Sequence, residues 1–138
     1  MKKTYHGGCH CGAVKYEADI DFAEGTSKCN CTICRKLRWW GVRIRPDAFR
    51  LLSPSSFESD TLTDYCMNNP GAHQLFCKKC GVHSFHRYCV PQLGGEFISI
   101  NVGCLDDFEP PEAAEVKVIY ADGRNNNWSN APEETRHL

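Results

Sequence analysis

The sequence predicts an all-β fold of packed, short antiparallel sheets, and three observations lead to that class. Apolar and polar residues alternate over several short stretches, which is the pattern of strands that bury one face. Asn, Gly, Pro and Asp residues that favour turns separate these stretches. No segment carries a sustained helical period. The chain of 138 residues has no repeat or linker, so residues 1–138 are expected to form one domain.

The predicted strands are spread over the whole chain. Alternation is clearest in the ranges 14–20, 40–45 and 98–103. Weaker candidates have β-forming composition and lie at 49–52, 62–67, 73–76, 82–88 and 115–120. Turn signals between them include the sequences NPG at 69–71, GG at 94–95 and DG at 122–123. The one helical feature expected is a single turn at 46–49.

Seven of the ten cysteines fall into three closely spaced groups. They are Cys9 and Cys11, then Cys29, Cys31 and Cys34, then Cys77 and Cys80. A structural zinc takes four thiolate or imidazole ligands, whereas a catalytic zinc keeps three protein ligands and one exchangeable position. The two pairs would therefore share a structural zinc that joins distant parts of the chain. The remaining three cysteines, which we call the cysteine trio, would hold a second zinc with an open position.

A disulfide framework is the alternative explanation for ten cysteines. The first residues lack the apolar run of a secretory signal, and no stretch has the length of a membrane span. We therefore predict a cytoplasmic protein with reduced thiols, in which metal binding is favoured over disulfides. Core packing is the default expectation for Cys66, Cys89 and Cys104, although any of them could close the second zinc site.

Charge and composition exclude some classes of partner. The net charge is −1, from 16 basic and 17 acidic residues, and no long Lys/Arg run is present. The chain therefore lacks the electrostatic pattern of a nucleic-acid binder, and neither a nucleic-acid nor a membrane partner is expected. The segment 125–138 is rich in Asn, Glu and Pro, and it is expected to be the least ordered part of the chain. The sequence does not indicate an oligomeric state.

Three motifs in order resemble the glutathione-dependent formaldehyde-activating enzyme family, which includes the domain of centromere protein V. The motifs are GCHCGAVKYE at 8–17, CNCTICRK at 29–36 and FCKKCGV at 76–82. The resemblance runs from about residue 8 to 105, and weakly to 128. It implies a β-tent fold, a structural zinc on Cys9, Cys11, Cys77 and Cys80, and a catalytic zinc on Cys29, Cys31 and Cys34. The spacing of the cysteines leads to the same division.

The resemblance also implies a reaction, the addition of glutathione to formaldehyde by an enzyme of the carbon–sulfur lyase class. A zinc with three thiolates is a poor Lewis acid but suits a soft ligand, so we expect a substrate thiol at its fourth position. That thiol would attack formaldehyde or another small aldehyde. Arg35 and Lys36, with Arg38, follow the trio and are candidates to bind the carboxylates of a glutathione-like substrate. A solvated basic face is the alternative reading of these residues.

Other side chains are weaker candidates. His73 and His83 flank the third motif as candidate proton donors, although a surface or core role is expected for each. Trp39 and Trp40 could border a pocket beside the trio, and core packing is expected for Trp40. Cys104 could instead close the trio's site, which would favour a noncatalytic binding or chaperone-like module stapled by zinc.

Overall fold

Ten strands form two sheets in the computed structural model, which describes residues 1–67 and 69–138. The strands are β1 (Lys3–Gly8), β2 (Lys15–Ile20), β3 (Thr26–Cys29), β4 (Gly41–Ile44), β5 (Phe49–Ser53), β6 (Leu62–Tyr65), β7 (Ala72–Cys77), β8 (Phe85–Val90), β9 (Gly95–Asn101) and β10 (Val118–Ala121). Two six-residue helices, α1 (Thr32–Leu37) and α2 (Pro110–Glu115), accompany them. The prediction of an all-β class is confirmed.

The smaller sheet has the strand order β1-β2-β5, and the larger sheet has the order β10-β3-β4-β9-β8-β7-β6. Neighbouring strands are antiparallel except β10 and β3, which run parallel and place Ala121 opposite Cys29. The C-terminal part of the chain therefore ends its strand beside the cysteine trio. No described helix is long and apolar enough to cross a bilayer.

The core lies between the two sheets and is rich in aromatic side chains. Tyr16 from β2 packs against Phe49 and Phe85, with ring centroids 5.1 and 5.8 Å away. The Tyr16 hydroxyl donates a hydrogen bond of 3.0 Å to the carbonyl oxygen of Ser84, so its one polar atom is satisfied although the side chain is buried. Aliphatic residues from both sheets complete the core, among them Val14, Ile20, Val42, Leu75, Ile98 and Ile100.

The strand predictions are confirmed in position for β2, β4, β5, β6, β7 and β9, with shifted ends. The predicted single turn at 46–49 is a 3-10 turn over Pro46–Ala48. The range 82–88 is partly wrong, because β8 starts only at Phe85, and residues 81–84 form an irregular segment after the turn that contains Cys80. The range 115–120 is also partly wrong, since α2 ends at Glu115 and β10 begins at Val118. The sequence pattern does not predict β1, β3 or the two helices.

Candidate metal centres

The two cysteine pairs meet at one place, as the sequence predicts, and we call their four thiols the four-cysteine cluster. Cys9 and Cys11 follow β1, while Cys77 ends β7 and Cys80 lies in the next turn. The four sulfur atoms lie within 4.8 Å of one another, with Cys11 Sγ 3.6 Å from the sulfurs of both Cys9 and Cys77. Four thiolates at about 2.3 Å from a tetrahedral zinc would be about 3.8 Å apart, so this arrangement fits zinc.

Backbone geometry aims peptide N–H groups at these sulfurs. The turn from Cys77 closes with a hydrogen bond of 2.8 Å from the Gly81 amide to the Cys77 carbonyl, and Gly81 has φ of +76°, which a residue without Cβ adopts freely. The Val14 amide lies 3.3 Å from Cys9 Sγ. Backbone N–H groups of Cys11 and Val82 lower the pKa of the Cys80 thiol to about 6, which favours its metal-binding thiolate form.

The four-cysteine cluster also joins the two sheets. Cys9 and Cys11 extend from the small sheet, whereas Cys77 belongs to the large one. The Cys77 side chain is fully buried in the core. A metal bound here would fix the position of one sheet relative to the other.

The cysteine trio forms a second and separate cluster. Cys29 ends β3, Cys31 is the residue before α1, and Cys34 lies in the first turn of that helix. The three sulfurs lie within 4.8 Å of one another and are half-buried, and the Cys31 amide is 3.3 Å from Cys29 Sγ. Cys29 thus lies at the end of a strand, whereas Cys34 lies in a helix. Cys31 and Cys34 come together because residues three apart are neighbours on a helix.

The segment after β10 covers one side of the trio. Gly123 leaves no room for a side chain, because a Cβ there would lie 2.6 Å from Cys29 Sγ and 2.5 Å from the Trp128 ring. Trp128 thus lies beside the trio while remaining 57% exposed. Further along, Lys28 Nζ donates to the carbonyl oxygen of Leu138 at 3.1 Å. That 125–138 is the least ordered segment stays a prediction.

Asn30 holds this segment in place from its position between two cysteines of the trio. Its buried side chain donates to Asp122 Oδ1 at 2.8 Å and accepts from the Arg124 amide at 2.9 Å. Hydrogen bonds from Asn125 and Asn30 lower the pKa of Asp122, so this carboxylate stays ionised and keeps accepting them at neutral pH. The local sequence does not predict this contact, since its partners are more than ninety residues apart.

We predict that Asn30→Ala loosens the segment around Gly123 and Trp128. The variant removes the buried hydrogen bond to Asp122, which keeps its bonds from Asn125, and leaves the Arg124 amide without its acceptor. We expect a loss of about 1–3 kcal/mol in the free energy of unfolding. Urea unfolding at pH 7, with Trp128 as one of the fluorescent residues, measures this loss. Asn127→Ala is the control, because the only hydrogen bond of the Asn127 side chain within the described part of the chain is an exposed one, accepted from Asn130. Equal stability of the two variants would contradict the role given to Asn30.

On the other side, Trp39 links the trio to the surface of the large sheet. Its amide donates to the Cys34 carbonyl at 2.9 Å, and its ring stacks on His86 with centroids 4.0 Å apart. Tyr88 follows on the same face of β8, two residues after His86. Trp39 is buried and Trp40 only partly so, although Trp40 does pack against the core. The expectation that Trp40 is the core member of the pair is thus only half correct.

Tyr88 carries a hydroxyl whose proton is not used within this network. Gln74 Nε2 donates to the Tyr88 oxygen at 2.7 Å, so that oxygen is already an acceptor. Burial and, to a lesser extent, negative charge on the thiols of the trio raise the pKa of Tyr88 to about 12, although the hydrogen bond from Gln74 acts in the opposite direction. The hydroxyl is therefore a proton donor at neutral pH that feels the charge of the trio. The β-forming composition of the range 82–88 predicts a strand that contains Tyr88 but does not indicate this role.

The remaining candidates lie elsewhere. Cys104 is not part of the trio, and its sulfur lies 3.8 Å from the His83 carbonyl oxygen. Burial, with smaller contributions from the charges of Asp106 and Cys80, raises the pKa of Cys104 to about 11. His83 Nδ1 lies 2.9 Å from His86 Nε2, in a largely buried pair. All ten cysteines lie in the described part of the chain and all are free, so the disulfide alternative is not supported.

The side chains of the basic residues after the trio and of two unclustered cysteines differ in their exposure to solvent. Arg35 and Lys36 are exposed in the last turn of α1, and neither is in an ion pair with a described carboxylate. Cys89 is exposed on β8, so the expectation that it packs in the core is wrong. Cys66 is half-buried beside Asp64 and His73.

Fold and site together define a class of small β protein with one four-cysteine and one three-cysteine cluster. The model of the glutathione-dependent formaldehyde-activating enzyme family matches residues 4–122, and the chain belongs to that family. Among solved structures, a Rhodobacter sphaeroides protein determined by crystallography in a structural genomics programme is similar. It is 26% identical with a TM-score of 0.65, and the match covers 83% of this chain and 99% of that one.

Proposed function

We propose that the chain is a zinc-dependent enzyme that adds a glutathione-like thiol to formaldehyde or another small aldehyde, a reaction of the carbon–sulfur lyase class. The observation that supports this most is the cysteine trio itself, since three half-buried thiols converge and no fourth Cys, His, Asp or Glu among the described residues joins them. A site with three protein ligands is the pattern of a catalytic rather than a structural zinc. Membership of the family supports the same conclusion.

Two zinc ions per chain are part of the proposal. The four-cysteine cluster would hold a structural ion, and the trio would hold an exchangeable one. When bound at the trio, zinc would hold the substrate thiol as a thiolate by lowering its pKa. Free thiols of this kind persist in a reducing compartment, so we propose that the protein works in the cytoplasm.

Arg35 and Lys36 are proposed to bind the carboxylates of the thiol substrate. Both cations are exposed on the helix that carries Cys34, one and two residues beyond it. Arg can bind a carboxylate through two parallel hydrogen bonds, and Lys supplies a compact charge. Neither is committed to a described carboxylate of the protein, so both are available to a substrate.

Tyr88 is proposed as the proton donor of the reaction. When the substrate sulfur forms its bond to the aldehyde carbon, the electron pair of the C=O π bond moves to the oxygen, which needs a proton. The Tyr88 hydroxyl gives that proton, with its oxygen held by Gln74. The substrate thiol releases its proton to solvent when it binds as a thiolate, and Tyr88 takes up one proton from solvent after the reaction. The addition therefore consumes and releases no net proton. Trp39 and Trp128 flank the trio and limit the access of water.

We predict that Tyr88→Phe lowers kcat by about 10²-fold, the lower end of the range for general acid catalysis. The pKa of about 12 keeps Tyr88 protonated, so the wild-type rate is not lost through Tyr88 as pH rises from 7 to 10. Initial rates of product formation from glutathione and formaldehyde, with zinc content measured in parallel, test this. Tyr65→Phe is the matched control, as Tyr65 is exposed on β6. A Tyr88→Phe enzyme with the wild-type kcat would exclude the role.

The proposed function is tested by native mass spectrometry of the reduced, zinc-replete protein titrated with glutathione. We expect two zinc ions from the cysteine clusters and a saturable glutathione adduct, which Cys34→Ala removes together with one zinc. Two ions with no adduct at any glutathione concentration, and no product with formaldehyde, would contradict the enzyme and leave a zinc-stapled binding module.

A further inference from the structure

A third group of metal-ligating side chains lies outside both cysteine clusters, at the edge of the large sheet. It consists of Asp64, Cys66 and His73, whose ligand atoms lie within 4.8 Å of one another. Cys66 Sγ is 3.4 Å from Asp64 Oδ1 and 3.7 Å from His73 Nδ1. His73 Nδ1 is 2.6 Å from the other oxygen of Asp64. Neither the proposed reaction nor the core uses these three residues.

The hairpin of β6 and β7 brings the group together. Asp64 and Cys66 are two residues apart, so they point to the same side of an extended chain. The antiparallel register pairs Tyr65 with Gln74, which brings the next residue along, Cys66, opposite His73. His73 lies four residues before Cys77 on β7, roughly 13 Å along the strand, so the group is distinct from the four-cysteine cluster.

We propose that Asp64, Cys66 and His73 form a third metal site for a zinc-like divalent transition ion. A sulfur at about 2.3 Å and a nitrogen or oxygen at about 2.0–2.1 Å from a tetrahedral zinc are about 3.5–3.6 Å apart, and the two distances from the Cys66 sulfur, 3.4 and 3.7 Å, are within about 0.1 Å of that range. The distance between Asp64 Oδ2 and His73 Nδ1 is shorter than the separation of two zinc ligands, because these two atoms share a hydrogen bond. Thiolate, imidazole and carboxylate are each ligands that zinc takes, and three protein ligands leave one position for solvent.

Metal binding at this site exchanges protons for the ion. Cys66 loses its thiol proton to solvent, and the ion takes the place of the proton that His73 Nδ1 shares with Asp64. A neutral His73 keeps that proton on Nε2, so one proton is released per ion, whereas a protonated His73 releases two. The bonds from Asp64 to Cys66 and His73 are replaced by bonds from all three side chains to the ion. With a single thiolate, the site should bind zinc more weakly than either cysteine cluster.

The test is a count of zinc ions by native mass spectrometry at increasing free zinc, comparing the wild-type chain with Cys66→Ala. The expected result is one zinc fewer per chain in Cys66→Ala at saturation, with unchanged circular dichroism. His73→Gln, which keeps a polar side chain of similar length, should lose the same ion. Cys89→Ala is the control, because Cys89 is an exposed cysteine on β8 outside all three clusters, and it should bind as many ions as the wild type.

Cobalt gives an independent readout that does not depend on enzyme activity. With the two cysteine clusters already filled by zinc, added cobalt should produce thiolate-to-cobalt absorption in the wild type and in Cys89→Ala, but not in Cys66→Ala. An equal number of zinc ions in wild type and Cys66→Ala would overturn the proposal. Cobalt absorption that survives in Cys66→Ala would do so too. The zinc count and the cobalt absorption each compare variants at this third site. Their outcome therefore does not depend on whether the trio is catalytic.

Discussion

Cys77→Ser should leave most of the chain unfolded or molten at room temperature, even in zinc-containing buffer. Cys77 is fully buried and belongs at once to the core and to the four-cysteine cluster. Structural zinc contributes about 10–16 kcal/mol in small zinc-finger peptides. The total stability of a natural domain is about 5–15 kcal/mol, so losing even part of the zinc contribution exceeds what the core can replace.

Circular dichroism and a thermal unfolding scan at fixed free zinc measure this effect. Cys89→Ser is the control, since it removes an exposed thiol from the neighbouring strand and should unfold like the wild type. A Cys77→Ser chain that unfolds cooperatively at the wild-type temperature would show that the core is sufficient without the cluster.

Cys34→Ala should have the opposite profile, with the fold kept and the activity lost. The trio lies at one end of β3 and in a short helix, and it does not bridge the two sheets. Removal of one of its three ligands takes away the proposed means of ionising the substrate thiol. Metal assistance is worth several kcal/mol, and about 1.4 kcal/mol is tenfold in rate, so kcat/KM should fall by about 10³-fold or more.

The measurement is kcat/KM with glutathione and formaldehyde, accompanied by zinc content and thermal unfolding. Cys104→Ala serves as the comparison, because Cys104 is a partly buried cysteine outside the trio. The expected pattern is one zinc lost and activity lost in Cys34→Ala, with both kept in Cys104→Ala. Wild-type activity in Cys34→Ala would mean that the trio is not the catalytic centre.

The sequence alone was sufficient to divide the seven clustered cysteines into four and three. This succeeded because each group is short, and the spacing within it leaves few ways for the sulfurs to converge on one ion. The positions of β2, β4 and β9 followed from alternation for a similar reason, since the burial of one face of a strand determines the pattern of neighbouring residues. Helix α1 was missed because six residues are too few to show a helical period.

The surroundings of the trio could not be predicted, because they depend on contacts between distant parts of the chain. Asn30 bonds to Asp122, and Gly123 allows Trp128 to approach Cys29, across more than ninety residues. Nothing in the local pattern around Asn30 or Gly123 marks them as partners. Tyr88 is a similar case, since its free hydroxyl proton is apparent only once Gln74 is known to donate to its oxygen.

The parallel pairing of β10 with β3 bears on the order in which the protein is assembled during synthesis. All members of the four-cysteine cluster have been made once the ribosome reaches Cys80, so this cluster can take up zinc on the nascent chain. The side of the trio formed by Gly123 and Trp128 needs 48 further residues, which take roughly 2–10 s to synthesise. The trio therefore lacks this flank during that interval, and it gains it only when the segment that contains Gly123 and Trp128 docks beside Cys29.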